Sequence, residues 1–146
     1  MTIKISTVRQ KIAAQIATLS GFHQPKLPPE YLGRITDTIA HKAFGVEINQ
    51  VVNVPERQRL TVGVYVQSTV IVKFAYRLRP HDTYPIDYDA SFDAVEDVIQ
   101  KVLASYQSLS VGLVPKFTNA RHTIPNSLEF IIHELTFTVL HTIPGA

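Results

Sequence analysis

The sequence has 146 residues, the length of one domain, and 45% of them are hydrophobic, which is ordinary for a folded protein with a core. The absence of cysteine excludes disulfides, thiolate nucleophiles and metal sites built on cysteine. The 14 basic and 12 acidic residues give a formal net charge of only +2, which argues against a protein that binds duplex DNA tightly.

The first predicted element is a helix over residues 6–20. Apolar side chains recur at helical spacing from Val8 to Leu19, and Gly21 follows as a typical helix end. No uncharged apolar run in the sequence approaches the ~20 residues that a membrane span requires. We therefore expect no membrane contact and a protein made in a cytoplasm.

Residues 22–33 are rich in proline and are expected to form an extended surface loop.

The middle of the chain carries the clearest strand patterns. Phe44, Val46 and Ile48 alternate with other residues and predict a first strand that ends before Pro55. Over residues 60–78, nearly every even-numbered position is apolar, which is typical of a half-buried strand. The pattern allows either one long strand bent near residues 67–68 or two strands that meet in a turn there. The usual length of strands favours two.

A second helix is predicted from near Asp87 to about Tyr106. Its apolar residues recur at helical spacing, and carboxylates crowd its first turns, where the helix dipole stabilises negative charge by ~0.3–1 kcal/mol per group. Prolines and polar residues over 105–127 then predict a long connection with at most one short strand, around residues 114–118.

The last predicted element is a strand over residues 127–141. Its apolar residues are even-numbered from Leu128 to Ile132 and odd-numbered from Leu135 to Val139. A β-bulge near residues 132–134 would keep both sets on the core side of a sheet, so we expect one there.

The order of elements predicts the fold class. Helix, strands, helix and strand follow one another in a single domain of residues 1–146. This order is typical of an α+β fold, with a mainly antiparallel sheet of about four to five strands and two principal helices packed on one face.

No motif for catalysis, metal binding or cofactor binding is present in the sequence. The six histidines are scattered, and no two have the i, i+4 spacing of a zinc-binding helix. The Gly-x-Ser-x-Gly, P-loop and dinucleotide-binding patterns are also absent. We therefore expect no catalytic residue, no cofactor and no enzymatic activity.

Charged residues flank the predicted strand of residues 68–79. The simplest explanation of these charges is that one face of the sheet is exposed to solvent. The alternative is a head-to-tail interface in which arginines of one subunit pair with carboxylates at the start of the second helix of the next, closing into a ring. The candidate interface residues are Arg57, Arg59, Lys73, Arg77, Arg79, Asp87, Asp89 and Asp93.

Two segments carry a family resemblance, GRITDTIAHKAFGVEI at residues 33–48 and STVIVKFAYRLRPHDTYPIDYDASFDAVEDVIQKVL at residues 68–103. The most specific part is a strand ending in YRLRP, followed by an acidic loop and a helix of the form YDASFDAVEDVI. Together with the first helix, the proline-rich loop and the long last strand, these segments resemble the tail terminator (tail completion) proteins of long-tailed bacteriophages.

The resemblance implies a structural virion protein of the phage neck. Such a protein forms a homo-hexameric ring on the tail tube protein, ends tube polymerisation and offers a surface to the head-side connector protein. In contractile-tailed phages it also touches the sheath protein, and DNA passes through its lumen only as transient cargo. Another neck component, such as a head-completion or connector protein, is the first alternative, and a small ligand-binding domain is the second.

Overall fold

The computed structural model describes residues 3–25, 41–54, 63–79, 84–105, 115–125 and 129–144. The elements in chain order are helix α1 (Ile5–Ile16), strands β1 (Phe44–Asn53) and β2 (Val64–Arg77), helix α2 (Tyr84–Ala104), and strands β3 (Lys116–Thr123) and β4 (Phe130–Ile143). All strand pairs are antiparallel, in the order β1-β2-β4-β3. The predicted α+β fold with a mainly antiparallel sheet and two principal helices is confirmed.

The sequence predictions for most of the proline-rich loop and for the loop between β1 and β2 lie outside the described residues. Neither helix in the described ranges is long and apolar enough to cross a membrane.

The main core lies between the two helices and one face of the sheet. Phe44, Phe74 and Phe137 are fully buried there and come from three neighbouring strands. Helix α1 adds Val8 and Ile12, both fully buried, at the helical spacing that the sequence showed. Burial of each such side chain contributes ~1.5–3 kcal/mol, so this layer is the main source of stability.

Strand β2 is one continuous strand of 14 residues, so the preference for two strands is wrong. Its pairing with β4 keeps one register from Val64, opposite Ile143, to Arg77, opposite Phe130. A partner strand of equal length supplies hydrogen bonds along the whole of β2, which is why no turn is needed near Ser68.

The bulge predicted near residues 132–134 is also wrong, because the register between β2 and β4 is unbroken there. Leu135 and Phe137 face the helices, whereas Phe130 and Ile132 face the opposite side and pack in a second, smaller cluster with Ala75. The change from even-numbered to odd-numbered apolar positions in the sequence therefore reflects a strand whose first residues are buried on both faces. The bulges lie instead in the two edge strands.

Helix α2 begins at Tyr84, three residues before the predicted start. Pro85 occupies its first turn, where a missing N–H costs no helical hydrogen bond. Asp87 consequently lies inside the first turn and is free to bond outside the helix.

His141 fastens the N-terminal residues to β4 and is fully buried. Its Nδ1 donates to the carbonyl oxygen of Ile3 at 3.2 Å, so its Nε2 accepts the hydroxyl proton of Ser68 at 2.7 Å. The backbone N–H of Ile3 also donates to the carbonyl oxygen of Thr142 at 2.8 Å. Burial lowers the pKa of His141, which favours the neutral ring that this arrangement requires.

His133 occupies the equivalent position under α2 and is 1% exposed. Ser91 donates its only hydroxyl proton to the carbonyl oxygen of Tyr88 at 2.6 Å, so the Nε2–H of His133 donates to the Ser91 oxygen at 2.9 Å. Burial, and secondarily the charge of His122, lower the pKa of His133 from 6.5 to about 4.

We expect Phe74→Ala to destabilise the fold by ~3–5 kcal/mol, because it leaves a cavity in the middle of the main core. Phe117→Ala is the matched control, since Phe117 is 41% exposed on an edge strand and should cost only ~1 kcal/mol. Urea unfolding followed by circular dichroism measures both. Equal losses in the two variants would contradict the assignment of the core.

We expect the free energy of unfolding to fall as the pH drops from 6.5 to about 4. The unfolded chain binds a proton at His133 in this window and the folded chain does not, and each pKa unit corresponds to ~1.4 kcal/mol. The loss in the free energy of unfolding that is assigned to His133 is therefore ~3 kcal/mol. Urea unfolding across this pH range should show a smaller loss of stability in His133→Gln than in the wild type. An unchanged pH profile in His133→Gln would contradict this assignment.

Candidate subunit interface

The predicted interface residues fall into three groups in the structure. Arg57 and Arg59 lie outside the described residues. Lys73, Arg79 and Asp87 make ion pairs within the chain. The remaining three, Arg77, Asp89 and Asp93, are exposed.

Lys73 belongs to a row of alternating charges that crosses all four strands on the face of the sheet opposite the helices. Its Nζ lies 3.5 Å from Glu47 Oε1 on β1 and 3.9 Å from Glu134 Oε2 on β4. Glu134 in turn accepts from Arg121 Nη2 on β3 at 2.8 Å. The charge of Lys73 is therefore balanced within the chain, although its role in subunit contacts stays a prediction.

Arg79 and Asp87 form a clamp between the end of β2 and the first turn of α2. The backbone N–H and Nε of Arg79 donate to Asp87 Oδ2 at 2.8 and 3.0 Å, and Nη2 donates to Oδ1 at 2.9 Å. These bonds hold the pKa of Asp87 below its usual value, because they stabilise the ionised carboxylate. The clamp fixes the direction in which α2 leaves the sheet.

A cavity of about 270 Å³ lies beside the clamp, and the described residues that line it are His41, Tyr76, Arg77, Arg79 and Asp87. The ring of His41 packs edge-on against Tyr76, with centroids 4.5 Å apart. Its Nδ1 accepts the backbone N–H of Arg77 at 3.1 Å. Burial, followed by the charges of Lys42 and Arg77, lowers the pKa of His41, which favours the neutral ring. We call this site the strand-end cavity.

The outer surface of α2 carries a row of exposed carboxylates. Asp89, Asp93, Glu96 and Asp97 follow one another at the spacing of one helix face. None of the four makes an ion pair with another described residue. We call this row the acidic face, and Ile86, which is 65% exposed, lies at its N-terminal end.

Both edges of the sheet are open in part. Every residue of β3 is exposed, including Phe117. On β1 the exposed part is its second half, where Val51 and Val52 are 39% and 43% exposed. Each of these strands carries a bulge and β3 carries cations, two devices that discourage indiscriminate edge pairing.

The two serine–histidine pairs are structural rather than nucleophilic. Ser68, Ser91 and His141 are 0% exposed, so a substrate cannot reach either pair. In addition, His133 donates to Ser91 and therefore cannot take its proton. In the part of the chain that the structure describes, no three histidine or acidic side chains are grouped so as to hold a metal ion.

Sequence reasoning missed four members of these charge clusters. Glu47, Glu134 and Arg121 complete the row across the sheet, and His41 supports the backbone of Arg77. The alternation of residues along the last strand places Glu134 on the face opposite Leu135, and this position could have identified it as a surface charge. His41 precedes β1 in an irregular stretch, and its sequence neighbours give no sign that it meets the end of β2.

We expect Asp87→Asn to lower the thermal unfolding temperature, because it removes the charge that three Arg79 donors share. Asp89→Asn is the matched control, since that carboxylate is exposed two residues away, and its stability should stay within ~0.5 kcal/mol of the wild type. Differential scanning calorimetry at pH 7 compares the two. Equal unfolding temperatures would contradict a stabilising clamp.

Comparison with known proteins gives a likeness at the level of fold. No family model matches the sequence, and no curated protein matches it. Among solved structures, a chain in the virion of a native gene transfer agent (GTA) particle superposes with a TM-score of 0.58. The two chains are 14% identical, and the match covers 92% of this chain and 91% of that chain. The present chain therefore shares its fold with a chain from that particle.

Proposed function

We propose that this protein is a structural virion protein of a phage-like neck. In this role it forms a homo-hexameric ring that caps the tail tube, ends tube polymerisation and provides the surface for head–tail joining. The observation that carries the proposal is the likeness to a chain of the gene transfer agent virion. That likeness extends over nearly the whole of both chains, so it concerns the complete arrangement of helices and sheet rather than one motif.

The distribution of contacts in the fold supports a role in assembly. Among the described residues, every buried polar side-chain atom has a hydrogen-bond partner within the chain. Among the described residues, the surface also has carboxylates on α2 that make no ion pair, and exposed strand edges. Such surfaces suit repeated protein–protein contacts, because charge complementarity selects the partner and fixes its orientation.

The proposed partners follow from the position in the particle. The single domain of residues 1–146 sits on the last ring of the tail tube protein and meets a head-side connector protein on its other side. If the tail is contractile, the sheath protein ends at the same level. DNA passes through the ring as transient cargo, which agrees with the small net charge of +2.

Particles produced without this protein should carry tails of uncontrolled length, because no ring ends tube polymerisation. Electron microscopy of negatively stained particles measures the length distribution. Supplying the wild-type protein in trans should restore a single length, which is the control. Tails of normal length that are detached from heads would contradict the terminator role and favour a head-side neck component instead.

A further inference from the structure

The described lining of the strand-end cavity is richer in cationic side chains than in carboxylates. Asp87 is the only acidic residue among the described residues that line it, and its two carboxylate oxygens accept three hydrogen bonds from Arg79. Arg79 and Arg77 bring two positive charges against this single negative charge. Among the described lining residues, two guanidinium groups face one carboxylate, so this part of the cavity favours an anion.

His41 contributes a donor to this cavity. Its Nδ1 accepts the backbone N–H of Arg77, so in the neutral ring the proton is on Nε2. No described residue accepts a hydrogen bond from Nε2. The edge-on packing against Tyr76 holds the ring in place, so the donor needs no reorganisation to meet a ligand.

Arg77 differs from every other described arginine in lacking a partner for its guanidinium. Arg9 donates to the carbonyl oxygen of Val46, Arg79 binds Asp87, and Arg121 binds Glu134. The guanidinium of Arg77 is exposed and makes no hydrogen bond or ion pair with the described residues. A guanidinium of this kind matches a carboxylate through two parallel N–H bonds.

We propose that the strand-end cavity binds a carboxylate side chain from the acidic face of α2 of a second copy of this chain. The proposal rests on the ring assembly proposed above and names the contact that holds neighbouring subunits together. Arg77 and His41 would supply the donors, and Arg79 and Asp87 would hold the cavity open.

The charges of the chain favour this occupant. Among the described residues, each copy presents four carboxylates on the acidic face and one guanidinium at the cavity that make no ion pair, so each contact in a ring can join one group of each kind. Glu96 and Asp97 follow Asp87 by about two and a half helical turns, or ~14 Å along the axis. They therefore lie farther along α2 than Asp93, whose charge acts on Tyr76 of its own cavity, and a neighbouring copy can bring them to the cavity of this chain.

The test is a charge swap measured on the full-length protein. Arg77→Glu should raise the apparent dissociation constant of the ring about tenfold or more, measured by mass photometry and by rings seen on tail tubes. Single reversals to arginine at Asp89, Asp93, Glu96 and Asp97 should include at least one with the same effect. Combining that reversal with Arg77→Glu should restore assembly. Lys4→Glu is the control, since it changes an exposed cation beside Ile3, which bonds Thr142 at the opposite end of the β2–β4 pair from Arg77.

Two outcomes would overturn the proposal. One is normal assembly of Arg77→Glu, and the other is the failure of all four double variants to restore it. Weakened binding of duplex DNA by Arg77→Glu, with assembly unchanged, would show instead that the cavity meets a phosphate. Arg79 is left intact in every variant, because reversing it would break the clamp and confuse loss of folding with loss of contact.

The same experiments separate this contact from the proposed function. Rings that depend on Arg77, together with normal tails in particles lacking the protein, would leave the contact standing and reject the terminator role. Tails of uncontrolled length without the protein, together with normal assembly of Arg77→Glu, would reject the contact and keep the role.

Discussion

The pairing of β2 with β4 is the interaction on which the rest of this structure depends. The two strands are paired in one register over 14 residues each. Since neighbouring side chains of a strand point to opposite faces, a shift of one residue would move Phe74 and Phe137 from the core to the other side of the sheet. The same shift would separate Lys73 from Glu134 and dismantle the row of charges. One register therefore fixes both the core and the charged surface.

The charged residues divide into those that stabilise the fold and those that are left for other molecules. Lys73 and Arg121 pair with carboxylates across the sheet, and Arg79 pairs with Asp87 where the sheet meets α2. Arg77 and the acidic face of α2 have no such partners among the described residues. This division explains how a chain with a net charge of only +2 can still present complementary surfaces: the opposite charges lie in different places.

The two buried histidines form hydrogen bonds that hold parts of the fold together. His133 and His141 each complete a hydrogen-bond chain between β4 and another part of the molecule, α2 in one case and the N-terminal residues in the other. Both pairs are closed to solvent, so their chemistry is limited to satisfying buried groups. The two pairs therefore contribute to the stability of the fold by joining β4 to α2 and to the N-terminal residues.

The sequence by itself determined the elements whose patterns are local. The alternation along β2 and the helical spacing of α1 and α2 can be read from the positions of the apolar residues in the sequence alone. Only the tertiary structure decided that β2 is one strand, that β4 is buried on both faces at its start, and that Asp87 binds Arg79 of its own chain rather than remaining free. These features depend on which segments lie next to one another. His41 meets Arg77 across 36 residues of sequence, and no local pattern records such a contact.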